Sequence, residues 1–266
     1  MPRLRSADAA RRQTADLGPA HSEALARGLQ IIGAFNETRR QMSLSDVARA
    51  IDLPRATARR ALHTLAHLGY VETDGRLFRL TPLILRLASA YLTANPISIL
   101  LQPVCDRLTR DMGEPCSVAV LQSDEVVMIA RAVPSQTLPA GAGIGFRLPA
   151  YCSALGRVLL GALPDAAVRA YLDRVDLAAV TTRTVIDPDA LADAVAATRT
   201  AGFSYVDQEV EHGFRSIAVP LCRFDGKVIA ALHIGANAER VPEATMLGDF
   251  LDRLRREAES LRVQLV

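Results

Sequence analysis

The stretch Ser43–Pro82, SLSDVARAIDLPRATARRALHTLAHLGYVETDGRLFRLTP, constrains the fold more than any other part of the chain. Ser45-Asp46-Val47-Ala48 opens a short helix, with Ser45 placed to cap it and Val47, Ala48 and Ile51 turned inward. Asp52-Leu53-Pro54 is a turn, and Pro54, with no N–H to donate, suits the first position of a new helix. That helix, Arg55 to about Leu68, carries Leu62, Leu65 and Leu68 on its buried side and leaves Arg55, Thr57, Arg59, Arg60, His63 and Thr64 facing out. Gly69 ends it. Tyr70-Val71-Glu72 and Leu77-Phe78-Arg79-Leu80 then flank Thr73-Asp74-Gly75-Arg76, and Asp-Gly between two apolar strands is a strong hairpin signal. Helix, turn, basic helix and hairpin together predict a winged helix-turn-helix, an arrangement that places its second helix in the major groove of DNA.

Two short helices joined by a turn also occur in unrelated folds, and arginine-rich faces are commonly just solvated. Charge separates the readings. No acidic residue lies between Asp52 and Glu72, and residues 1–82 hold 13 Arg against 8 Asp and Glu, a net +5. The remaining residues hold 18 Lys and Arg against 21 Asp and Glu, a net −3, so the overall +2 conceals a basic amino-terminal part. A phosphate-binding surface needs that local excess. Arg55, Thr57, Arg59, Arg60 and His63 on the second helix, Ser45 at the start of the first and Arg76 on the wing are the candidate DNA contacts.

A length of 266 residues, half of them apolar, predicts two domains with ample core. Cys105, Cys116, Cys152 and Cys222 show no CxxC spacing, and residues 1–20 lack the apolar core of a signal peptide. Apolar runs are broken by charges before membrane-spanning length. The expectation is a cytoplasmic protein with free thiols and no membrane partner, preceded by a disordered tail over residues 1–20 whose Arg3, Arg5, Arg11 and Arg12 add nonspecific DNA affinity. His21 to Phe35 reads as the first helix of the winged module (21–82), with Leu25, Leu29, Ile32 and Phe35 on one face. A linker helix over 83–96, Leu83 to about Leu92, is apolar on more than one side and is expected to help dimerisation, with Asn95-Pro96 breaking it.

Residues 97–266 have an α+β pattern. Ile97–Met112 is an amphipathic helix, Cys116–Leu121 and Glu125–Ala132 are strands, and Ser153–Ala162, Asp165–Tyr171 and Asp189–Thr200 are helical. Gly202–Gln208, Ser216–Leu221 and Lys227–Ile234 are strands, and Pro242 to about Leu265 closes the chain as a helix. Such an order fits an antiparallel sheet covered by helices. Neither GxGxxG after a strand nor GxxxxGK[ST] is present, so nucleotide binding lacks its usual markers and no cofactor is expected.

In ALARGLQIIGAF (24–35), the winged module, LPAYCSALGRVLLGAL (148–163) and GFSYVDQEVEHGFRSIAVPLCRFDGKVIAALHI (202–234), the chain resembles the IclR family of bacterial transcriptional regulators, over nearly its full length after residue 20. LPRATARRALHTLAHLGYV, FRLTP and LASAYL are most similar to the subgroup controlling aromatic-acid catabolism, whose members respond to protocatechuate, 4-hydroxybenzoate or β-ketoadipate. The resemblance implies an effector-responsive regulator with a carboxy-terminal GAF-like effector domain, a homodimer or tetramer on palindromic double-stranded operator DNA, and a small organic acid as effector. The chain departs from the family at its last strand, where His233-Ile234-Gly235-Ala236-Asn237 stands in place of Ser or Asn followed by Ser-Gly-Pro.

Carried onto this sequence, the resemblance points to an effector pocket. Cys152 lies where a loop enters a helix, and Ala154 and Leu155 offer first-turn N–H groups to a carboxylate. Asp207, Ser216 and His233 offer side chains from facing strands, and Arg131 and Arg215 are candidate counter-charges. Each has a plainer reading: surface ion pairs for the arginines, a satisfied core histidine for His233, a backbone bond for Ser216. A rival class is an enzyme in which Cys152 has a lowered pKa and joins His233 and Asp207 in a thiol-based or metal site. A third is a winged module that mediates protein contacts alone, which the basic second helix disfavours.

Overall fold

A computed structural model describes residues 21–36, 38–94, 96–134 and 143–265. The tail over residues 1–20, with its four arginines, and the break at Asn95 lie outside the described residues. The chain divides between Ala94 and Asn95 into two compact units.

The amino-terminal unit runs α1 (Glu23–Ala34), β1 (Met42–Ser43), α2 (Leu44–Ala50), α3 (Arg55–His67), β2 (Val71–Thr73) and β3 (Leu77–Leu80), followed by a 3-10 turn at Pro82–Ile84 and α4 (Leu85–Ala94). Its strands form an antiparallel sheet in the order β1-β3-β2. Strand β1 escaped the sequence because two residues carry no periodicity. The cap of α2 is Ser43 and not Ser45. Ser43 accepts from the Asp46 N–H while Asp46 Oδ2 accepts from the Ser43 N–H at 3.1 Å, a reciprocal capping box that leaves Ser45 half-buried inside the first turn. Ile31, Ala34, Met42, Val47, Leu62, Leu65 and Val71 form the core. The expected inward faces are therefore rotated at two places. Leu25 and Leu29 of α1 are 64% and 55% exposed, and Leu68, just past the end of α3, is 55% exposed.

The second unit begins with α5 (Pro96–Met112) and continues through β4 (Cys116–Gln122), β5 (Glu125–Ala132), β6 (Arg147–Pro149), α6 (Ala154–Gly161), α7 (Asp165–Arg174), α8 (Pro188–Ala201), β7 (Ser204–Asp207), β8 (Phe214–Cys222) and β9 (Val228–Asn237). The closing helix is interrupted: a turn at Glu243–Thr245 and a π-helical turn at Met246–Phe250 precede α9 (Leu251–Leu261). The six-stranded sheet is antiparallel throughout, ordered β6-β5-β4-β9-β8-β7. Edge strand β6 was not expected, being three residues long.

Alternation gives the two faces different chemistry. Cys116, Val118, Ile217, Val219, Leu232 and Ile234 pack with Leu101, Val104 and Leu108 of α5 and with Leu251 and Leu254 of α9. The opposite face carries Ala119, Ala218 and Ala231, small side chains packed beneath Leu155, Val158 and Leu159 of α6. Large aliphatics fill the first layer. On the second face the three alanines share their side of the sheet with buried Ser117, Ser216 and His233.

Candidate functional site

In the first unit, Ala58, Leu62 and Leu65 bury one side of α3, which leaves Arg55, Arg59, Arg60 and His63 exposed and Thr57 half-buried on the other. The amino terminus of α3 has no side-chain cap. Pro54 supplies its carbonyl to the Thr57 and Ala58 N–H groups at 2.9 and 3.0 Å. The amides of Arg55 and Ala56 precede the first intrahelical bond and have no acceptor within the helix, so the positive end of the dipole adds to the arginine charges. On the wing, Asp74 Oδ1 accepts from the Arg76 and Leu77 N–H groups, each at 2.8 Å, and these bonds hold its carboxyl below the usual range. Gly75, at φ +94°, takes the left-handed turn that lets the tip project Arg76. Arg79 pairs with Glu72 across β2 and β3 at 2.7 Å, whereas Arg55, Arg59, Arg60 and Arg76 make no ion pair among the described residues.

In the second unit, Arg131 of β5 stands opposite Ser117 of β4, which stands opposite His233 of β9. Arg131 reaches this face through a β-bulge. Ala119 pairs with Met128 and Val118 with Ala130, so Ile129 is an extra residue in β5. Ile129 and Ala130 both pack on the α5 side, Met128 on the α6 side, and the residue after the bulge is returned to the α6 side. Arg131 Nη1 donates to Ser117 Oγ at 2.9 Å and lies 3.2 Å from Met128 Sδ. Its Nε is buried without a partner, no carboxylate pairs it among the described residues, and burial lowers its pKa.

His233 is 4% exposed with Nδ1 unpartnered. Burial, then the charge of Arg131, pushes its pKa down to about 3, so the ring is neutral near pH 7. The Phe214 ring lies 6.4 Å away, and a Cβ on Gly235 would meet that ring at 2.2 Å. Ser216, also buried, shares the α6 side with Ala218 by alternation. Above this face, Ser153 caps α6 by accepting from the Gly156 N–H at 3.1 Å, and Ala154 and Leu155 are fully buried in the first turn. Arg157 ties the helix down: Nε donates to the Tyr151 carbonyl at 3.0 Å and Nη2 to Glu209 at 2.7 Å, a pair whose side chains are 7% and 8% exposed.

Not all predicted residues converge. Asp207 and Arg215 alternate with Val206 and Ser216 and so face the other side of the sheet. They bond each other at 3.1 Å, Asp207 also pairs with Arg183, and Arg215 donates to the Val241 carbonyl at 3.1 Å. Cys152 is buried against the Pro149 carbonyl, and burial pushes its thiol up to about 12, the reverse of what a nucleophilic thiolate needs. Cys152, Asp207 and His233 do not assemble, and no group of three metal-binding side chains occurs among the described residues. Ser117, Met128, Arg157 and Glu209 were missed. A regular hairpin closed at Ser123-Asp124 would set Ser117 opposite Ala130, and only the bulge brings Arg131 there.

The model of the bacterial transcriptional regulator IclR C-terminal region matches residues 89–263, and that of the IclR helix-turn-helix domain matches residues 24–75. The chain is 40% identical over 248 residues to the Pca regulon regulatory protein of Pseudomonas putida, covering 93% of this chain and 85% of that one. It is similar to the crystal structure of a transcriptional regulator from Rhodococcus sp. RHA1, at 40% identity and TM-score 0.79, with 91% and 97% of the two chains covered. An IclR homologue from Microbacterium hydrocarbonoxydans complexed with 4-hydroxybenzoate aligns at 28% identity and TM-score 0.73, over 90% of this chain and 97% of that one. A winged helix-turn-helix with an uncapped basic helix, joined to an α+β unit that these comparisons match along its length, makes this chain a member of the IclR family of DNA-binding bacterial transcriptional regulators.

Proposed function

We propose that the chain controls genes for the breakdown of aromatic or related organic acids by binding such an acid in its second unit. The observation that carries this reading is the half-buried Arg131, paired with no carboxylate among the described residues, whose buried Nε is unpartnered beside Ser117 and the neutral His233. A partly desolvated cation with no counter-charge carries a cost, and a carboxylate ligand relieves it. The first-turn amides of Ala154 and Leu155 and the hydroxyl of Ser216 complete the donor set, and the neutral ring of His233 meets a hydroxyl or keto oxygen of the acid. The relatives bound to or named for aromatic-acid systems support the same class. Asp207, Arg215 and the thiol of Cys152 are left out of the ligand shell, being committed elsewhere.

Arg55, Thr57, Arg59, Arg60 and His63 read operator DNA in the major groove, Arg76 meets phosphate or the minor groove, and Ser45 lies in the first turn of α2, which crosses the backbone. The protein acts in the bacterial cytoplasm as a homodimer or tetramer. Leu25, Leu29, Leu85, Leu87 and Tyr91, each at least 45% exposed, supply apolar contact area for a second copy, and a two-fold protein reads paired half-sites. Among the described residues no single helix is long and apolar enough to cross a membrane. Calorimetry with 4-hydroxybenzoate and its decarboxylated analogue phenol tests the effector class: the acid binds and phenol does not, whereas equal binding overturns the reading. Sedimentation at micromolar concentration tests the assembly, a monomer with full operator affinity being the contrary result.

A further inference from the structure

Strand β6 covers the outer edge of β5 over Glu125–Val127, and Gly145 and Phe146 extend the pairing to Met128. Beyond that point an edge strand presents bare N–H and C=O groups. At Arg131 both are met by one side chain of α5. Gln102 Oε1 accepts from the Arg131 N–H at 3.1 Å, and Gln102 Nε2 donates to the Arg131 carbonyl at 2.9 Å. A primary amide holds donor and acceptor side by side, so Gln102 reproduces the paired exchange of a neighbouring antiparallel residue. Gln102 Nε2 also donates to Asp106 Oδ1 at 2.9 Å, one turn along the helix, which fixes the amide from its own side.

The next residue is Pro103, inside the helix. Lacking an N–H, it leaves the Ile99 carbonyl without its helical donor, so the opening turns of α5 are tied to the remainder by one bond fewer. These turns begin at Pro96, two residues after α4 ends at Ala94. The side chain of Arg131 thus faces α6 through the bulge, while its backbone is clamped to the first helix that follows the winged unit.

We infer that Gln102 is a positioning residue that couples Arg131, and so an acid bound to it, to the opening turns of α5. The inference rests on the reading of Arg131 as the effector's counter-charge. An acid that draws the guanidinium from Ser117 shifts the strand at Arg131, and the two-bond clamp carries that shift into α5.

The test uses the full chain with Gln102→Met, which keeps length and loses both bonds, and Gln102→Glu, which keeps the acceptor and loses the donor. The quantities are 4-hydroxybenzoate affinity by calorimetry, the operator Kd with and without saturating acid, and amide hydrogen exchange over residues 96–103 and 129–132. Both variants are expected to bind the acid within about threefold of the parent while the acid-dependent change in operator Kd falls to within twofold of none. Exchange in both segments should quicken at least tenfold in Gln102→Met without any ligand, and less in Gln102→Glu, which keeps the acceptor for the Arg131 N–H. Acid binding lost in Arg131→Ala, together with an unchanged operator response in both Gln102 variants, overturns the clamp and leaves the effector reading standing. Acid binding unchanged in Arg131→Ala overturns the effector reading and the clamp with it. If the parent does not bind this acid, exchange decides: unchanged rates in Gln102→Met overturn the clamp, and quickened rates uphold it. A purely structural role would lower acid affinity and operator response together, which also counts against coupling.

Discussion

Arg131 and Ser117 meet with Nη1 2.9 Å from Oγ because β5 holds one more residue than β4 needs. With strict alternation from Met128, Arg131 would point at α5 among Val104, Cys105 and Leu108. Inserting one alanine between Ala130 and Arg131 turns the guanidinium to the α5 side and is expected to abolish 4-hydroxybenzoate binding. Ile129→Ala keeps the register, costs about 2–5 kcal/mol of stability and leaves the acid's affinity within a few-fold. Calorimetry and urea unfolding separate these effects, and equal acid affinity in the insertion variant would show that the facing of Arg131 does not set the site.

The uncompensated guanidinium also sets a trade between binding and stability. Arg131→Met should stabilise the acid-free chain, on the order of 1 kcal/mol and so with a raised unfolding midpoint, by replacing a half-buried charge with an apolar group of similar reach. The same variant should lose at least tenfold in acid affinity. Thermal scans with and without 4-hydroxybenzoate report both, and a lower midpoint in the absence of acid would contradict the account.

His233 adds a pH dependence of known sign. Its pKa lies at about 3 in the folded chain against an ordinary 6.5, so between these values the unfolded chain holds a proton that the folded chain does not. Stability from this group is fully present above 6.5 and falls as pH falls, by about 1.4 kcal/mol per unit, reaching about 2 kcal/mol by pH 5. Arg131, which faces the ring, stays charged throughout and adds no titration there. His233→Leu should flatten the decline between pH 7 and pH 5 in urea unfolding by that amount, and identical declines would refute the buried neutral ring.

At the DNA interface, Arg59→Ala and Arg60→Ala should each cost about 1–3 kcal/mol of operator affinity and relax specificity at one position. Arg76→Ala should weaken all sequences alike and reduce the salt slope by about one. Salt-dependent electrophoretic shifts measure both. Unchanged binding in the Arg59/Arg60 double variant would mean that α3 does not read the groove.

How legible the sequence was follows from how local each feature is. The winged module could be read because its turn, basic helix and Asp-Gly hairpin lie within forty consecutive residues of Ser43–Pro82. Even there, Ser45 reads as the cap, whereas Asp46 stands three residues after Ser43, the spacing that a reciprocal cap requires. In the second unit Arg131 and Arg215 looked alike, each bordering an apolar strand. Alternation turns Arg215 toward Asp207, while a bulge that no pattern announces turns Arg131 toward His233. Gln102 lay beyond reach because its partner is 29 residues away and is backbone. Leu25 and Leu29 had the spacing of core residues, yet the unit that they would cover is already closed by Ile31 and Ala34.

The buried pair of Arg157 and Glu209 bears on how this fold diversifies. Replacing either partner alone strands an opposite charge at a cost of about 3–5 kcal/mol, a large part of the 5–15 kcal/mol that holds a typical domain together. Glu209 also accepts from the Val185 N–H at 3.0 Å, and its carbonyl accepts from the Thr184 hydroxyl at 2.7 Å. Single-step drift at these two positions therefore leads through poorly folded intermediates, whereas His233 on β9 can change type without unbalancing a charge. On the reading of Arg131 as the effector's counter-charge, new ligand preferences are accordingly reached by substitution on the sheet, beneath a helix whose anchorage is mutationally frozen.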